Sequence, residues 1–226
     1  MRWVHMAATK HPHVGVGLYS LSDAARILNA PPSTLRYWIK PDSGFIHRHF
    51  DPSEKTLTFN ELMELHFVKL FTEEGVSVQT IRKAAEAAAK KYRTTYPFSV
   101  KRFDTDGKTV FATLVDDETD EVRIEDLRRG QYVFEHILRP FFRKLDYDTS
   151  IEPSRFWPME KAGRIVLDPT RKFGKPIDAD TGIPTRTLYD AVKAARGRST
   201  ASVADWFGIP VAAVDAAVEF ERSIAA

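Results

Sequence analysis

The chain contains no cysteine, no long apolar run and almost no net charge. The absence of cysteine excludes disulfides, thiolate metal sites and cysteine nucleophiles, and it fits a protein of the reducing cytoplasm. No apolar run approaches the roughly 20 residues that a transmembrane helix needs. A formal net charge of +2 over 226 residues does not by itself indicate a nucleic-acid partner. We therefore predict a cytoplasmic protein with no membrane association.

The common signatures of catalysis are also missing. The Gly-Lys-Pro run at residues 174–176 lacks the surrounding glycines and the hydroxyl of a phosphate-binding loop. Two pairs of histidines, at positions 11 and 13 and at positions 47 and 49, have no acidic or histidine partner at helical spacing that would complete a metal site. No nucleophile stands beside a base. We predict that the protein is not an enzyme and that it uses neither a cofactor nor a metal.

The most informative stretch runs from Tyr19 to Trp38 and predicts two short helices joined by a tight turn. Apolar residues recur at three-and-four spacing in its first half, and a serine stands where it can cap the helix start. Two prolines at 31 and 32 then end that helix, because proline lacks the amide hydrogen that a helix interior requires. The second helix turns Leu35, Trp38 and Ile39 inward. This is a helix-turn-helix whose second helix could lie in a DNA major groove.

The same stretch resembles the start of MerR-type winged-helix domains, and the following residues supply the expected parts in order. Residues 45–59 predict a wing of two short strands about an Asp-Pro-Ser turn, and Asn60 to Glu74 and Val78 to Tyr92 predict two further helices. The resemblance covers about residues 18–92. It implies DNA binding, and the residues expected to contact DNA are Ser33, Thr34, Arg36, Tyr37, Arg48 and Lys55. The long dimerisation helix and effector domain of complete MerR regulators are not evident.

The middle of the chain differs in charge and pattern from the first part. Residues 20–103 hold 13 basic and 9 acidic side chains, whereas residues 104–126 hold 2 and 9, so only the first part is suited to phosphate. Alternation over Phe98 to Ile124, with Asp106-Gly107 as a turn, predicts a β-hairpin. An aromatic-rich, helical or mixed segment interrupted by Pro140 follows, and residues 148–161 predict a connector. Such aromatics belong either to a core or to a protein-binding surface. No internal repeat is evident.

The C-terminal part begins with a strand at Ile165 to Leu167 and ends with three predicted helices, at residues 185–195, 202–207 and 211–224. The runs Gly174-Lys175-Pro176, Thr181-Gly182-Ile183-Pro184 and Ala216 to Glu221 resemble the motifs of a small domain of unknown function in antitoxins encoded beside PIN-like toxins. That resemblance spans about residues 163–221. Together with the MerR-like part, the chain is similar to VapB-type antitoxins.

These patterns predict the fold class and the domain organisation. We expect a mainly α protein with small β elements (α+β). The expected parts are an N-terminal arm (1–17), a winged helix-turn-helix domain (18–95), an aromatic-rich middle region or linker with a β-hairpin (96–160) and a three-helix, helix-turn-helix-like C-terminal domain (161–226). The arm has no sustained apolar core or cleavage site, so we do not predict an export signal.

The resemblance implies a type II antitoxin, which would make two kinds of contact. It would bind operator DNA and neutralise a PIN-domain ribonuclease by direct binding, as a homodimer or in a higher hetero-oligomer with the toxin. A PIN active site is a cluster of carboxylates around a divalent metal, so an arginine or an aromatic segment could block it. Candidate toxin contacts are Arg139, Arg143, Arg155, Phe156, Trp157, Phe220 and Arg222.

Two alternatives remain open at the level of sequence. The chain could be a stand-alone MerR-like transcriptional regulator whose later parts bind a small ligand or only dimerise. It could also be a nucleic-acid-modifying enzyme, although the missing catalytic set disfavours that class. The final helix pair carries acidic rather than basic residues, which favours a dimer or toxin contact over DNA.

Overall fold

The computed structural model describes residues 15–40, 48–49, 55–116, 118, 120–195 and 199–225. Helices dominate this part of the chain, and two small antiparallel sheets accompany them. The α-helices are α1 (Leu21–Leu28), α2 (Pro32–Trp38), α3 (Phe59–Glu73), α4 (Val78–Tyr92), α5 (Lys101–Asp116), α6 (Glu121–Val133), α7 (Arg139–Phe142), α8 (Thr185–Ala194), α9 (Thr200–Phe207) and α10 (Val211–Ser223). The strands are β1 (Tyr19–Ser20), β2 (Thr56–Leu57), β3 (Leu145–Asp146), β4 (Arg155–Phe156), β5 (Ile165–Leu167) and β6 (Pro176–Asp178). The predicted α+β class is therefore confirmed.

The first sheet fastens the segment before α3 to the start of the helix-turn-helix. β1 pairs antiparallel with β2, and Tyr19 lies opposite Leu57 in that pair. Most of the predicted wing, together with the predicted N-terminal arm up to residue 14, lies outside the described residues. What the structure describes of the wing is therefore Arg48, His49 and the strand that leads into α3.

The helices predicted after the wing are present, and their capping residues explain where they begin. Thr58 accepts a hydrogen bond from the amide of Glu61, and the Glu61 carboxylate accepts one from the amide of Thr58, which is a capping box. α4 begins after the capping residue Ser77 and ends at Arg93, whose φ of 55° places it in the left-handed region. Lys90 and Lys91 occupy its last turn, where the helix dipole favours cations.

The β-hairpin predicted over residues 98–124 is wrong, because this segment forms α5 and the start of α6. Phe103, Val110 and Phe111 are buried on one side of α5 at helical spacing. Gly107, which the sequence predicts as part of a hairpin turn, lies inside the helix. A Cβ at this position would collide with the ring of Phe134. The glycine therefore serves close helix packing rather than a turn. A hairpin does occur in the middle region, but it is formed by β3 and β4.

The aromatic-rich segment that begins at the end of α6 is mostly core. A π-helical turn at Phe134–Leu138 links α6 to α7, and Pro140 lies in the first turn of α7, where a missing amide hydrogen is tolerated. Phe141 packs against His66, with ring centroids 4.4 Å apart. Tyr132 is the exception, since 58% of it is exposed. The predicted connector at residues 148–161 contains β4, so it contributes to the second sheet, whose order is β3-β4-β5-β6.

Two hydrophobic cores hold the described residues together. The larger one extends from Tyr19 to Leu167 and includes residues on both sides of the domain boundary predicted at residue 95. The smaller one lies among α8, α9 and α10 and is built on Leu188, Val203 and Val214. The C-terminal strand and its three helices are thus present as predicted, while the domain boundaries stay predictions.

Candidate nucleic-acid interface

The helix-turn-helix is formed by local signals at each end of its two helices. Ser20 caps α1 by accepting a hydrogen bond from the amide of Asp23 at 3.1 Å. Asn29 ends α1 in the left-handed conformation, with φ 47° and ψ 57°. Pro31 then precedes α2, and Pro32 is its first residue, where no amide donor is needed. These residues set the sharp turn between the helices.

The two sides of α2 are clearly divided. Leu35, Trp38 and Ile39 are buried against the larger core, as the pattern predicts. Arg36 is exposed, and 45% of Tyr37 is exposed. Ser33 is exposed and Thr34 is half-buried. The side chains predicted to contact DNA from this helix therefore lie on its outer side, with hydroxyl, phenol and guanidinium groups that can donate hydrogen bonds.

Of the two wing residues predicted to contact DNA, only Lys55 is exposed. The side chain of Arg48 is just 4% exposed. Its Nε donates to Oε1 of Glu61 at 2.9 Å, and its Nη2 donates to the carbonyl oxygen of Thr56 at 2.7 Å. Arg48 thus joins the wing to β2 and the start of α3, which is a structural contact that the sequence did not indicate.

Glu61 holds the wing residues Arg48 and His49 against the start of α3, although the sequence did not identify it as a site residue. Besides Arg48 and the amide of Thr58, its carboxylate accepts a hydrogen bond from the amide of His49 at 2.8 Å. Its side chain is fully buried. The capping-box pattern of Thr58 and Glu61 is the signal that could have identified it. A buried carboxylate is stable only when it is paired, and here it is paired with Arg48.

Tyr19 connects the helix-turn-helix to the Gly-Lys-Pro motif. Its hydroxyl donates to the carbonyl oxygen of Gly174 at 2.7 Å, and burial raises the pKa of this phenol above its ordinary value. The amide of Leu18 donates to the carbonyl oxygen of Phe173 at 2.9 Å. Gly174 has a φ of 81°, and a Cβ there would collide with the Tyr19 hydroxyl. The Gly174-Lys175-Pro176 motif therefore contacts the helix-turn-helix.

A second connection is ionic and centres on Glu221 of α10. Arg26 of α1 donates through Nη2 to Oε2 of Glu221 at 2.8 Å, and the Thr185 hydroxyl donates to Oε1 at 2.6 Å. The Glu221 side chain is 3% exposed, whereas that of Arg26 is 38% exposed. Neither residue was among the predicted site residues. Glu221 closes the motif at residues 216–221, and its burial among polar partners became visible only in the fold.

The residues predicted to contact a toxin fall into three groups. Phe156 and Phe220 are 2% and 1% exposed and belong to the interior. Arg155 pairs with Asp168 at 3.2 Å, and the indole of Trp157 donates to Oδ2 of Asp146 at 2.8 Å. The exposed group comprises Arg139, Arg143 and Arg222. The seven residues lie in or directly after three separate elements, α7, β4 and α10.

Neither a membrane span nor a metal cluster emerges from the described ranges. Within them, no single helix is long and apolar enough to cross a membrane, and the apolar pair α9 and α10 is bent by 119°. Over the same ranges, no three histidine or acidic side chains are grouped so that they could hold a metal ion.

Comparison with known proteins agrees with the geometry of the first helices. Residues 19–88 match the model described as MerR HTH family regulatory protein. The chain is 25% identical over 221 residues to "Putative antitoxin VapB45" of Mycobacterium tuberculosis, covering 86% of this chain and 89% of the relative. The crystal structure of Rv2018 from M. tuberculosis matches with a TM-score of 0.73 and 23% identity, covering 91% of this chain and 99% of that one.

These findings confirm two predictions made from the sequence. The match at residues 19–88 covers β1, α1, α2, β2, α3 and most of α4, so the predicted MerR-like unit is the one that the structure contains. The crystal structure shares the fold over nearly the whole chain. The chain therefore carries an N-terminal MerR-type helix-turn-helix, and its resemblance to VapB-type antitoxins is confirmed.

Proposed function

We propose that this chain is the antitoxin of a type II toxin-antitoxin system, which neutralises a PIN-domain ribonuclease by direct binding and represses its own operon by binding DNA. The observation that carries the proposal is the outer side of α2, in a MerR-type unit of a chain similar along most of its length to an antitoxin. Both partners would be met in the cytoplasm.

In this proposal α2 enters the major groove. Arg36 reaches base edges, because a guanidinium donates two hydrogen bonds to guanine in a fixed geometry. Ser33, Thr34 and Tyr37 contact base edges or phosphates, and exposed Lys55 contacts phosphate. Arg48 acts indirectly in the free chain, since its ion pair with Glu61 holds the wing to α3. A homodimer would place two α2 helices on the half-sites of a palindromic operator.

Toxin neutralisation calls for a different surface. A PIN ribonuclease holds a metal among carboxylates, so a guanidinium that enters this cluster would compete for the acids and exclude RNA. Arg139 and Arg143 are exposed and meet that requirement. We keep Arg155, Trp157 and Arg222 as further proposed toxin contacts. We leave Phe156 and Phe220 out of the proposed contact, because their burial keeps them from a partner.

Co-expression tests the proposal. The chain is produced with a tag together with the neighbouring reading frame, and purified complexes are assayed for ribonuclease activity and for binding to labelled DNA from upstream of the operon. We expect the neighbouring protein to co-purify, its ribonuclease activity to be suppressed, and the DNA to be bound with strong salt dependence.

Two controls separate this proposal from its alternative. Arg36→Ala should weaken operator binding by about 10- to 100-fold while it preserves the protein complex, because Arg36 lies on the DNA side. A stand-alone regulator would instead bind the upstream DNA but neither co-purify with the neighbouring protein nor suppress any ribonuclease. That result would replace the antitoxin proposal with the regulator alternative.

A further inference from the structure

The chain contains a second helix-turn-helix that repeats the first without a gap. We name α1 and α2 with their turn (residues 20–40) the first helix pair, and α9 and α10 with theirs (residues 199–219) the second helix pair. Corresponding residues differ in number by 179 throughout. A serine caps each first helix, and both of these helices have eight residues. This correspondence corrects the prediction that the chain has no internal repeat.

The turns also correspond residue by residue. Asn29 and Gly208 end the two first helices in the left-handed conformation, with φ of 47° and 64°. Two residues later, Pro31 and Pro210 precede the second helices, with φ of −58° and −61°. Of the 21 aligned residues, only three are identical. The repeat therefore escapes inspection of the sequence, although the backbone follows the same course.

Most of the buried positions of the two pairs coincide as well. Five aligned positions are buried in both pairs, whereas Leu21 and Leu28 are buried and their counterparts Thr200 and Phe207 are half-buried. The corresponding buried residues are Ala24 and Val203, Ala25 and Ala204, Leu35 and Val214, Trp38 and Ala217, and Ile39 and Val218. Because the inner faces agree, the outer faces of the two pairs can be compared position by position.

On the outer faces the charge is reversed. Arg26, Arg36 and Lys40 of the first pair correspond to Asp205, Asp215 and Glu219 of the second. All three acidic residues are exposed. Residues 199–221 contain no lysine or arginine, so no cation from that stretch offsets this charge. The nearest cations in the sequence are Arg198 and Arg222, which lie just outside this stretch. The outer side of the second pair is therefore less suited to DNA than that of the first, because phosphates carry the same sign as its exposed charges.

The second pair also exposes apolar surface. Trp206 is 79% exposed and Val211 is 39% exposed, while Phe207 is half-buried. The rings of Trp206 and Phe207 lie edge to face, with centroids 5.1 Å apart. An exposed tryptophan beside apolar residues, with charged residues around it, is typical of the centre of a protein interface.

This surface lies away from the contact with the first pair. Within the described ranges, α9 packs on α8 and α10, whereas the groove against α1 is lined from the C-terminal domain by residues such as Thr185, Arg186 and Glu221. Arg26 and Glu221 form the ion pair across that groove. No residue of α9 is among the described residues that line this groove.

We propose that the second helix pair is the docking surface for the toxin, with Trp206 as its apolar centre and Asp205, Asp215 and Glu219 facing cations of the toxin. The proposal rests on the proposed function, and it adds the surface that grips the toxin. A ribonuclease must present cations to RNA phosphates, so its RNA-binding side complements an acidic surface.

A second copy of this chain is the competing occupant. Its first helix pair is cationic, but a contact between unlike surfaces of identical chains continues from copy to copy as an open array unless a ring closes. It would also cover the outer side of α2, which the proposed function assigns to DNA. Toxin on the second pair and DNA on the first pair are compatible within one complex.

The test measures the affinity of purified full-length chain for the co-purifying toxin, after the two are separated and recombined. We expect Trp206→Ala to weaken binding by about 30-fold or more, which is typical for the loss of a central tryptophan. Tyr132→Ala, another exposed aromatic on a helix, is the matched control and should change affinity by less than about twofold. Asp205→Asn with Asp215→Asn should weaken binding and reduce its salt dependence.

Operator binding reports whether each variant is folded. Trp206→Ala should bind operator DNA as the original chain does. Full toxin affinity in Trp206→Ala would overturn the proposal, and so would a Trp206→Ala variant that loses self-association measured without toxin, since the second copy would then be the occupant. If the original chain itself fails to bind the toxin, the proposed function fails, and this inference fails with it.

Discussion

The first and second helix pairs have similar backbone conformations and differ in the side chains on their outer sides. The first pair exposes Arg36 and Lys40, and the second exposes Asp215 and Glu219 at the same two positions. Helix-turn-helix geometry therefore does not determine the ligand. Under the two proposals, the charge on the outer side of each pair selects between a polyanion and a cationic protein.

The two pairs also pack on different hydrophobic cores. Leu35, Trp38 and Ile39 belong to the larger core, which they share with α3 and the middle helices. Val203, Ala204 and Val214 belong to the smaller core, shared only with their neighbours in the C-terminal domain. The first pair should therefore unfold with most of the chain, whereas the second pair can open locally.

The largest expected effect comes from emptying equivalent core positions. Leu35→Ala should lower the free energy of unfolding by about 2–5 kcal/mol, because it leaves a cavity in a fully buried site. Val214→Ala removes fewer atoms and should cost about 2 kcal/mol, confined to the C-terminal helices. Urea unfolding and amide hydrogen exchange check both values. Faster exchange throughout the chain in Val214→Ala would show that the two cores are one cooperative unit.

The next effect concerns DNA and compares two aligned residues. Arg36→Ala should weaken operator binding by about 10- to 100-fold, since it removes a bidentate base contact. Asp215→Ala, its counterpart in the second pair, should leave operator affinity unchanged. Fluorescence anisotropy at several salt concentrations measures both. If Asp215→Ala tightened binding strongly, the second pair would lie near the DNA and the proposed division of surfaces would be wrong.

The smallest effect tests how the pairs are joined. Arg26→Ala removes the ion pair with Glu221, and it should lower the free energy of unfolding by about 1 kcal/mol or less, because the arginine is partly exposed and Glu221 keeps the Thr185 hydroxyl. Thermal unfolding measures this change. Arg186→Ala, at the more exposed arginine near the same carboxylate, is the matched control and should change stability less.

Short-range sequence signals explain which helices could be predicted from the amino-acid sequence. Capping serines, prolines at helix starts and three-and-four spacing placed α1, α2, α4, α8 and α10 within a residue or two of their ends. These signals act between residues a few positions apart, so they can be recognised in the sequence without knowledge of the fold. The outward position of Arg36 and Tyr37 follows from the same periodicity.

Other features depended on contacts between distant residues. Asp106-Gly107 has the composition of a hairpin turn, but the ring of Phe134 needs the space that Gly107 leaves in α5. Arg48 has the composition of a phosphate contact, but Glu61 holds it in the interior. Phe156 and Phe220 could have been surface aromatics, yet the core encloses them. In each case the partner lies too far away in sequence for a local pattern to reveal it.

By itself, the sequence determined the helical character of both ends, the MerR-like unit, the motifs of the C-terminal domain and the side of α2 that faces outward, because each depends on short-range spacing. Only the tertiary structure decided that residues 101–116 form a helix, that Glu221 and Tyr19 join the two ends, and that the backbone of the second pair follows that of the first residue by residue. Packing and ion pairing act across space, so they become readable once the chain is folded.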